Sequence, residues 1–424
     1  MWIARFYAQF NFSTFDAGNM SLFKRFLVIV LLASASCGTT RSGTYKPAPP
    51  PKDNTPKPVT IPEDSTAKKP VKKYGQKNFG PMKVSLLFPL NIEGGKSNMD
   101  PFLADYYEGV LLGLDSLKSM GMDIVVNVYD TKGDTAAIRK LTWKKELAES
   151  NIIIGPTFKA GYAMLSKYTL PRKITLVSPF SNAYLPADSN KYSVYCTPDD
   201  KGYAMALARF IKEKYPTANL LLFNDGSQDD KDFIWRFKVA ARDSFGLSKW
   251  RDVTYNAGLD MTALLKQDSV NIIFTPTDDE KIAAQLLTQL KDPAYNNILI
   301  TLESWLDFKH LSFQTYELWG QNHLHVLTSY YIDDFDRQVI NFKTRYRNKF
   351  GAYPSGFAVR GFDHILAFGC TFLDNRTETI AEGLEQSDCR GMHNRFIFRS
   401  NGKTLENRGV NILEFRDHRF HLIE

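Results

Sequence analysis

Cysteine is scarce in this chain, and its scarcity excludes a fold held together by many disulfides. The 424 residues hold four cysteines, Cys37, Cys196, Cys370 and Cys389. Disulfide-dense scaffolds are small secreted domains with many cysteines, and no two of these four have the spacing of zinc ligands. One bridge, for which Cys370–Cys389 is a candidate pair, and a set of buried thiols are both compatible with the count.

The signature motifs of common enzyme classes are also missing. The sequence contains no GxxxxGK[ST] phosphate loop, no GxGxxG turn after a strand, no HExxH helix and no GxSxG turn. The histidines do not cluster with acids or cysteines at ligand spacing, and the acidic stretch Asn224–Asp230 lacks the spacing of a calcium loop. We therefore expect a non-catalytic protein that needs no metal or other cofactor.

The N-terminal apolar run is too short to span a bilayer as a stable anchor. This run, Phe26–Ala33 (FLVIVLLA), follows Lys24-Arg25 and precedes a series of small residues. The order of basic, apolar and small residues is typical of a secretory signal peptide. Because residues 1–19 fit no such pattern, we expect translation to start at Met20.

The end of this segment, Ala33–Cys37 (ASASC), resembles the lipobox of bacterial lipoproteins. In that family the cysteine is lipidated and becomes the mature N-terminus. The resemblance implies that Cys37 carries a lipid and anchors the protein to a membrane of the cell envelope, facing the periplasm. Ser34 departs from the usual Leu, and an ordinary secretory signal is the alternative.

Residues 38–80 have the composition of an extended linker. They contain eight prolines and few large apolar side chains, so they cannot bury enough surface to fold. They contribute +6, and residues 1–37 contribute +2, to the total charge of +7, which leaves −1 for residues 81–424. The folded body is nearly neutral, so the basic composition gives no reason to expect nucleic acid as a partner.

The remaining residues alternate between short apolar runs and amphipathic segments. Asn151–Ile154 (NIII) and Ile174–Val177 (ITLV) read as strands, and the segment between them has apolar residues at helical spacing. This βαβ unit implies parallel strands and a right-handed crossover. The same alternation continues to the C-terminus, which predicts an α/β fold with more than one lobe. In the helix over 102–119, Gly109 and Gly113 are expected to allow close packing on a sheet.

Several strand and strand-end motifs occur along the chain, namely KVSLLFPL, YYEGVLLGLDSL, VVNVYDTKGD, NIIIGPTF and ITLVSPFSN. Together they resemble type I periplasmic binding proteins, in particular the leucine/isoleucine/valine-binding group and related receptor ligand-binding regions. The similar order of elements covers Lys83–Glu424. The resemblance implies two Rossmann-like lobes of parallel sheet flanked by helices, with a ligand cleft between them.

The resemblance also implies three crossovers between the lobes. We expect them near Cys196–Asp200, Leu327–Tyr331 and Gly391–Phe396. Lobe 1 would then comprise residues 81–198 and 330–392, and lobe 2 residues 199–329 and 393–424.

In the first lobe, two loops follow the strand ends where this family binds its ligand. Thr157 and Lys159 follow the first strand, where amino-acid binders place hydroxyls for the ligand carboxylate, and only Thr157 offers one. Ser178, Ser181 and Asn182 follow the second strand, and Ser181 and Asn182 match positions where the family offers backbone and hydroxyl groups. Serines at such positions are more often helix caps than ligand contacts, and a solvated loop charge is the alternative for Lys159.

In the second lobe, carboxylates take the place of part of the family's pattern. Asp229 and Asp230 stand where a Tyr-Gly pair is usual, although carboxylates at the start of a helix are simply favourable. Glu303 falls near the family's amine-binding acid, and Trp305 beside it is expected to pack more readily than to stack on a ligand. The partial match puts free amino acids in doubt as ligands.

Two functions follow from these features. The first is a tethered lipoprotein that binds a small polar solute, an amino acid or a peptide-like molecule, for uptake through ABC-transporter membrane subunits or for sensing. The second is an envelope interaction protein without a small ligand, because lipoproteins that activate peptidoglycan synthases use a similar two-lobe domain and would contact cell-wall synthesis proteins.

Overall fold

The computed structural model describes residues 80–93, 96–180, 189–309, 313–374 and 377–424, without the side chains of residues 96, 313–315 and 388–390. These residues belong to one compact unit, Gln76–Glu424. The expected signal peptide, Cys37 and the linker up to residue 79 lie outside them, as do Ser181 and Asn182.

Fifteen of the strands in this part of the chain form two large sheets. The sheet of lobe 1 has eight strands in the order β13-β14-β15-β7-β6-β5-β1-β4, and the sheet of lobe 2 has seven in the order β17-β16-β12-β11-β10-β8-β9. In lobe 1 they are β1 (Met82–Phe88), β4 (Ile124–Asp130), β5 (Ile152–Ile154), β6 (Thr175–Ser178), β7 (Ser193–Tyr195), β13 (Asp388–Arg390), β14 (Arg395–Ser400) and β15 (Leu405–Asn407). In lobe 2 they are β8 (Asn219–Asn224), β9 (Arg251–Thr254), β10 (Val270–Phe274), β11 (Asn296–Leu302), β12 (His325–Thr328), β16 (Asn411–Arg416) and β17 (Arg419–Leu422). A separate two-stranded sheet joins β2 (Ile92–Glu93) and β3 (Lys96–Ser97).

The α-helices flank the two sheets. Those between strands of lobe 1 are α1 (Pro101–Ser119), α2 (Thr135–Leu141), α3 (Lys145–Ala148) and α4 (Lys159–Thr169). Those of lobe 2 are α5 (Asp200–Lys214), α6 (Gln228–Phe245), α7 (Glu280–Gln289) and α8 (Phe313–Gln321). The chain then adds α9 (Arg337–Phe350), α10 (Gly356–Asp374) and α11 (Ile380–Gln386).

Both sheets are parallel in the middle, as the βαβ pattern predicts. The strand β5 pairs in parallel with β1 and β6, and all three of its residues are fully buried. Strands covered on both faces are apolar throughout, which explains the unbroken run Ile152–Ile154. In lobe 2, β8, β10 and β11 pair in the same way. Antiparallel pairs occur in the C-terminal part of the chain.

The third crossover lies later in the chain than the sequence predicts. Residues 393–424 were expected in lobe 2, but β14 and β15 pair within the sheet of lobe 1. Phe396 and Phe398 are buried in the core of that lobe, whereas Val410 and Ile412 are buried in the core of lobe 2. The chain therefore changes lobes between Asn407 and Asn411. The expected crossovers near Cys196–Asp200 and Leu327–Tyr331 fall between elements of different lobes.

The glycines of α1 face a helix, not a sheet. A Cβ atom on Gly109 would lie 1.9 Å from the carbonyl oxygen of Ala358 in α10, and one on Gly113 would lie 2.2 Å from the Ile365 side chain. Because these positions carry no side chain, the two helices pack with their backbones in contact. This packing fixes the start of α10 beside the start of α1.

Candidate functional site

The carboxyl ends of the parallel strands meet at the side of each lobe where the chain crosses over. In lobe 1, β5 and β6 end at Ile154 and Ser178. In lobe 2, β11 and β12 end at Leu302 and Thr328, and the second crossover begins directly after Thr328. Ligands of open α/β sheets bind beyond the carboxyl ends of the strands. The region between these ends and the crossovers is therefore the candidate site.

The predicted residues of lobe 1 are at the expected strand ends but differ in exposure. Thr157 is half-buried in the loop after β5, and Lys159 is exposed at the first residue of α4. Ser178 is fully buried as the last residue of β6, where its carbonyl accepts the N–H of Cys196 at 3.1 Å. Ser178 thus helps to hold the first crossover. Ser181 and Asn182 fall outside the described residues.

The acids at the start of α6 are largely engaged in local structure. Ser227 caps the helix by accepting the N–H of Asp230 at 3.2 Å. The carboxylate of Asp230 is buried and accepts the N–H of Asp225 at 3.0 Å, and burial raises the pKa of Asp230 to about 7. Asp229 is half-buried. Burial raises the pKa of Asp200, the charge of Arg236 lowers it, and the charge of Asp229 raises it by a smaller amount. Of this pair, only Asp229 remains a candidate ligand residue.

Glu303 links lobe 2 to the second crossover. Its Oε2 atom accepts the hydroxyl of Tyr203 at 2.7 Å and the N–H of Ser329 at 2.8 Å. The hydroxyls of Thr328 and Ser329 donate to the same atom at 3.0 and 3.3 Å. All hydrogen bonds found for Glu303 within the described residues go to Oε2.

Trp305 packs inside lobe 2, as expected. Its side chain is fully buried, and Nε1 donates to the carbonyl of Thr277 at 2.9 Å. The indole ring also lies 5.3 Å from Phe308 and 6.5 Å from Trp319, between ring centroids. Trp305 therefore has no part in the candidate site.

Sequence reasoning missed a cationic and aromatic group at the start of α10. The guanidinium of Arg360 lies 5.3 Å from the ring centroid of Tyr330, in the second crossover, and 5.2 Å from that of Phe357. His393 stacks on Tyr330 at 5.0 Å, and His364 follows Arg360 by one turn of α10. We call Arg360, Tyr330, Phe357, His364 and His393 the Arg360 cluster.

Charges of opposite sign act on Tyr330. Burial raises the pKa of Tyr330, the negative charges of Glu303 and Asp307 raise it further, and the positive charge of Arg360 lowers it. Glu303 and Asp307 belong to the short 3-10 helix that follows β11 in lobe 2, and the guanidinium belongs to α10 in lobe 1. A ligand at this position would meet a cation from one lobe and carboxylates from the other.

Asp363 holds the segment that supports this cluster. Its buried carboxylate accepts the N–H groups of Met392, His393 and Asn394 at 3.0, 2.8 and 3.0 Å. The Asn394 side chain in turn donates to the carbonyl of Ser329 at 3.1 Å. Together with Glu303, these bonds connect α10 to lobe 2 through the second crossover.

A cavity of about 320 Å³ lies elsewhere in lobe 2, lined by Lys214, Tyr215, Pro216, Thr217, Ala218, Asp268, Ser269 and Val270. It is next to the first residues of β8 and β10, at the amino ends of the strands. Because parallel sheets bind ligands at their carboxyl ends, we do not assign function to it.

Metal sites and membrane-spanning helices are both absent from the described ranges. No three or more His, Cys, Asp or Glu side chains there are grouped so as to hold a metal ion. None of the helices there combines the length and apolarity needed to cross a membrane. Of the cysteines, Cys196 is buried in the first crossover and Cys370 is exposed on α10, so a set of buried thiols is wrong for Cys370. A bridge to Cys389 stays a prediction, since that side chain is not described.

No protein-family model and no curated protein matches the sequence. Solved structures with the same fold do exist. A putative branched-chain amino acid ABC transporter protein from Rhodospirillum rubrum aligns with a TM-score of 0.57 and 14% identity, over 81% of this chain and 100% of that one. An ABC transporter substrate-binding protein from Desulfitobacterium hafniense aligns with a TM-score of 0.50 and 15% identity, over 81% and 100%.

The full-length LpoA from Haemophilus influenzae also shares the fold. It aligns with a TM-score of 0.53 and 13% identity, over 82% of this chain and 60% of LpoA. These similarities confirm the two-lobe α/β fold of type I periplasmic binding proteins. At such low identities they establish the fold alone.

Proposed function

We propose that the chain is a non-catalytic solute-binding protein of the cell envelope, which holds a small polar solute between its lobes for uptake or sensing. The arrangement around Tyr330 carries this proposal, because the guanidinium of Arg360 in lobe 1 lies over the Tyr330 ring, and the carboxylate of Glu303 in lobe 2 accepts the backbone N–H of the adjacent residue Ser329. Such a site suits a molecule with separated charges, such as an amino acid or a peptide-like compound.

The fold supplies a means of response to the solute. Two lobes joined by crossovers can close around a ligand by rotation at those crossovers. Thr157, Lys159, Ser178, Ser181, Asn182, Asp229 and Glu303 are the residues that the sequence assigns to the ligand, and we add Arg360 and Tyr330. For uptake, the closed form would be recognised by ABC-transporter membrane subunits.

A thermal-shift screen of the full-length chain with amino acids, short peptides and cell-wall fragments tests this proposal. A solute that binds the folded state raises the unfolding midpoint, and the midpoint rises further with solute concentration. The expected result is a concentration-dependent rise with at least one class of solute. If no class raises the midpoint, the proposal is wrong.

A second candidate is an interaction protein without a small ligand, acting on cell-wall synthesis or envelope assembly. The shared fold with LpoA supports it, as does the burial of Ser178 and the engagement of Glu303 Oε2 inside the protein. Crosslinking in intact cells separates the two. Recovery of transporter membrane subunits without wall enzymes favours solute uptake, and recovery of wall enzymes favours the interaction protein.

We also propose that Cys37 carries lipid and tethers the lobes to an envelope membrane, facing the periplasm. The basic, apolar and small residues that end at Cys37 support this proposal, together with the proline-rich composition of residues 38–80. In this arrangement the linker holds the binding domain away from the membrane surface.

A further inference from the structure

Arg360 lacks a counter-ion in the part of the chain that the structure describes. Its side chain is half-buried, no ion pair within 4.0 Å is found for it there, and its Nε atom is buried without a hydrogen-bond partner. The nearest acid on the same helix, Asp363, binds the backbone of residues 392–394 instead. A guanidinium has five N–H donors, so this one has donors to offer to a ligand.

The neighbours of Arg360 do not compensate its charge. The Nε2 atoms of His364 and His393 are buried and also lack partners among the described residues. Burial and the charge of Arg360 lower the pKa of both imidazoles, that of His393 to about 3, so both rings are neutral at physiological pH. Attraction between a cation and an anion is stronger in such a poorly hydrated setting than at an open surface.

Aromatic side chains of lobe 1 lie beside the cation. Phe357 lies 5.2 Å from Phe102 and 5.7 Å from Phe180, between ring centroids. Phe102 is 50% exposed although it is a large apolar residue beside the strand ends. The rings therefore offer an apolar surface directly beside the guanidinium, which suits a ligand with one charged end and one apolar end.

The charges around Tyr330 limit the charge of such a ligand. Glu303 and Asp307 would repel a dianion, whereas one carboxylate matches one guanidinium, with which it forms two parallel hydrogen bonds. The Oε2 atom of Glu303 is already bonded to Tyr203 and Ser329, so this atom has hydrogen-bond donors without an amino group of the ligand.

We propose that the Arg360 cluster binds small organic monocarboxylates, with the carboxylate on Arg360 and the apolar part against Phe102 and Phe357. This inference rests on the proposed solute-binding function and names the class of solute. An α-amino group is tolerated beside Glu303 and Asp307 but is not required.

Titration calorimetry with the full-length chain tests the inference, using 3-phenylpropionate as the probe. The probe carries one carboxylate and one ring, whereas 3-phenylpropanol keeps the ring without the charge and inorganic phosphate supplies charge without a ring. The wild type is expected to bind 3-phenylpropionate at least about 10-fold more tightly than either comparison compound. 3-Phenylpropanol cannot form the hydrogen-bonded charge pair, and phosphate covers no apolar surface.

Variants at Arg360 locate the binding. Arg360→Gln is expected to weaken 3-phenylpropionate binding at least about 10-fold, and Arg360→Lys, which keeps the charge without the planar fork, about 3-fold or more. Arg347→Gln is the matched control, because the Arg347 guanidinium also lies over a tyrosine ring, that of Tyr353 at 5.0 Å, on an exposed surface. This control should bind as the wild type does. If Arg360→Gln does not fold, Arg360→Lys carries the test.

Each remaining outcome overturns the inference. It is wrong if the wild type does not bind 3-phenylpropionate, if the variants at Arg360 bind it unchanged, or if 3-phenylpropanol binds equally well. If the monocarboxylate inference fails but another solute from the thermal-shift screen binds, the proposed solute-binding function still stands. If no solute of any class binds, the solute-binding function and the monocarboxylate inference both fail.

Discussion

At the scale of one residue, the buried carboxylate of Asp363 holds the segment beside the second crossover in place. Three consecutive backbone N–H groups, from Met392 to Asn394, point at its carboxylate. A Cβ atom on Gly391 would lie 2.2 Å from Asp363 Oδ2, so only glycine lets the chain approach so closely. Burial raises the pKa of Asp363 to about 6, although the three N–H groups lower it.

Asp363→Asn is expected to lower the free energy of unfolding by about 1–3 kcal/mol at pH 4. The NH₂ group of asparagine would replace an oxygen that accepts a backbone N–H, and two donors would then face each other. The loss should shrink as the pH rises. The folded-state pKa of about 6 exceeds the ordinary pKa of an aspartate side chain, 3.8, so the folded wild type holds more protons between these values and loses stability as pH rises through them. The variant lacks this titration.

Urea unfolding of both proteins at pH 4, 5, 6 and 7 measures the difference. Asp334→Asn serves as the control, because Asp334 is exposed and its ion pair with Lys343 is at the surface. A difference for Asp363→Asn that stays constant over this range would contradict the argument.

Single residues were predictable where their role depends on nearby sequence. The place of Glu303 at a strand end and the packing of Trp305 follow from local pattern. Arg360 was missed, although Arg360 and Asp363 are the only charged residues between Gly356 and Leu373. An isolated charge in an apolar helix is a usable indication of function. Its partners Tyr330 and His393, however, come from distant segments that local pattern cannot place.

At the scale of elements, the contact between α1 and α10 depends on small residues. A Cβ atom on Gly361 would lie 2.1 Å from the carbonyl oxygen of Tyr106 and 3.1 Å from the backbone nitrogen of Val110. Both obstacles are backbone atoms of α1, so they cannot move aside as a flexible side chain can. The two helices must separate to admit a methyl group at this position.

Gly361→Ala is therefore expected to lower the free energy of unfolding by about 1–3 kcal/mol, the usual cost of overpacking a core. Gly320→Ala in α8 is the matched control, since a Cβ atom there meets nothing within 4 Å and alanine favours helices by about 0.5–1 kcal/mol. Thermal unfolding should show a lower midpoint for Gly361→Ala and an unchanged or higher one for Gly320→Ala. Equal midpoints for the two variants would refute close packing.

The elements themselves could largely be predicted, but not the sheet to which each belongs. Apolar runs correctly marked β5 and β6, and the chain turns at Asn401-Gly402 after β14. The strand after that turn is β15, which pairs with β14 antiparallel and with β7 in parallel. Alternating apolar residues indicate a strand equally well in either lobe. Only burial of Phe396 and Phe398 in the core of lobe 1 decides the third crossover.

At the scale of the whole molecule, Glu303 and Asp363 connect the two lobes through the second crossover. Glu303 binds Tyr203 in lobe 2 and Ser329 in the crossover, and Asp363 binds Asn394, whose side chain reaches the Ser329 carbonyl. Any rotation of one lobe against the other has to break these hydrogen bonds or move the bonded residues together. The second crossover is therefore held by specific hydrogen bonds.

Glu303→Ala is expected to loosen the second crossover, because Ser329 N–H and the Tyr203 hydroxyl both lose a charged acceptor. The free energy of unfolding should fall by about 1.5–3 kcal/mol, and amide exchange should rise locally over residues 328–331. Hydrogen-exchange mass spectrometry measures the local effect. Glu317→Ala, at an exposed position of α8, is the control and should leave these amides unchanged. Unaltered exchange in Glu303→Ala would count against this role of Glu303.

The proposed attachment of the whole molecule to a membrane depends on one atom, Cys37 Sγ. If Cys37 Sγ carries lipid, each buried methylene contributes about 0.8 kcal/mol, so several acyl chains together give a durable anchor. Cys37→Ser is expected to abolish the anchor and to leave the protein uncleaved or released in soluble form. Its lobes should still unfold at the wild-type midpoint, because the compact unit begins at Gln76.

Cell fractionation and intact-mass measurement of the wild type and of Cys37→Ser decide the question of the anchor. Cys196→Ser, a change in the buried first crossover, controls for a general effect of losing a thiol and should keep the membrane attachment. Recovery of the wild type as a soluble periplasmic protein with an unmodified Cys37 would refute the anchor. The charge arrangement around Tyr330 does not depend on residue 37, so the solute-binding proposal would be unaffected by that result.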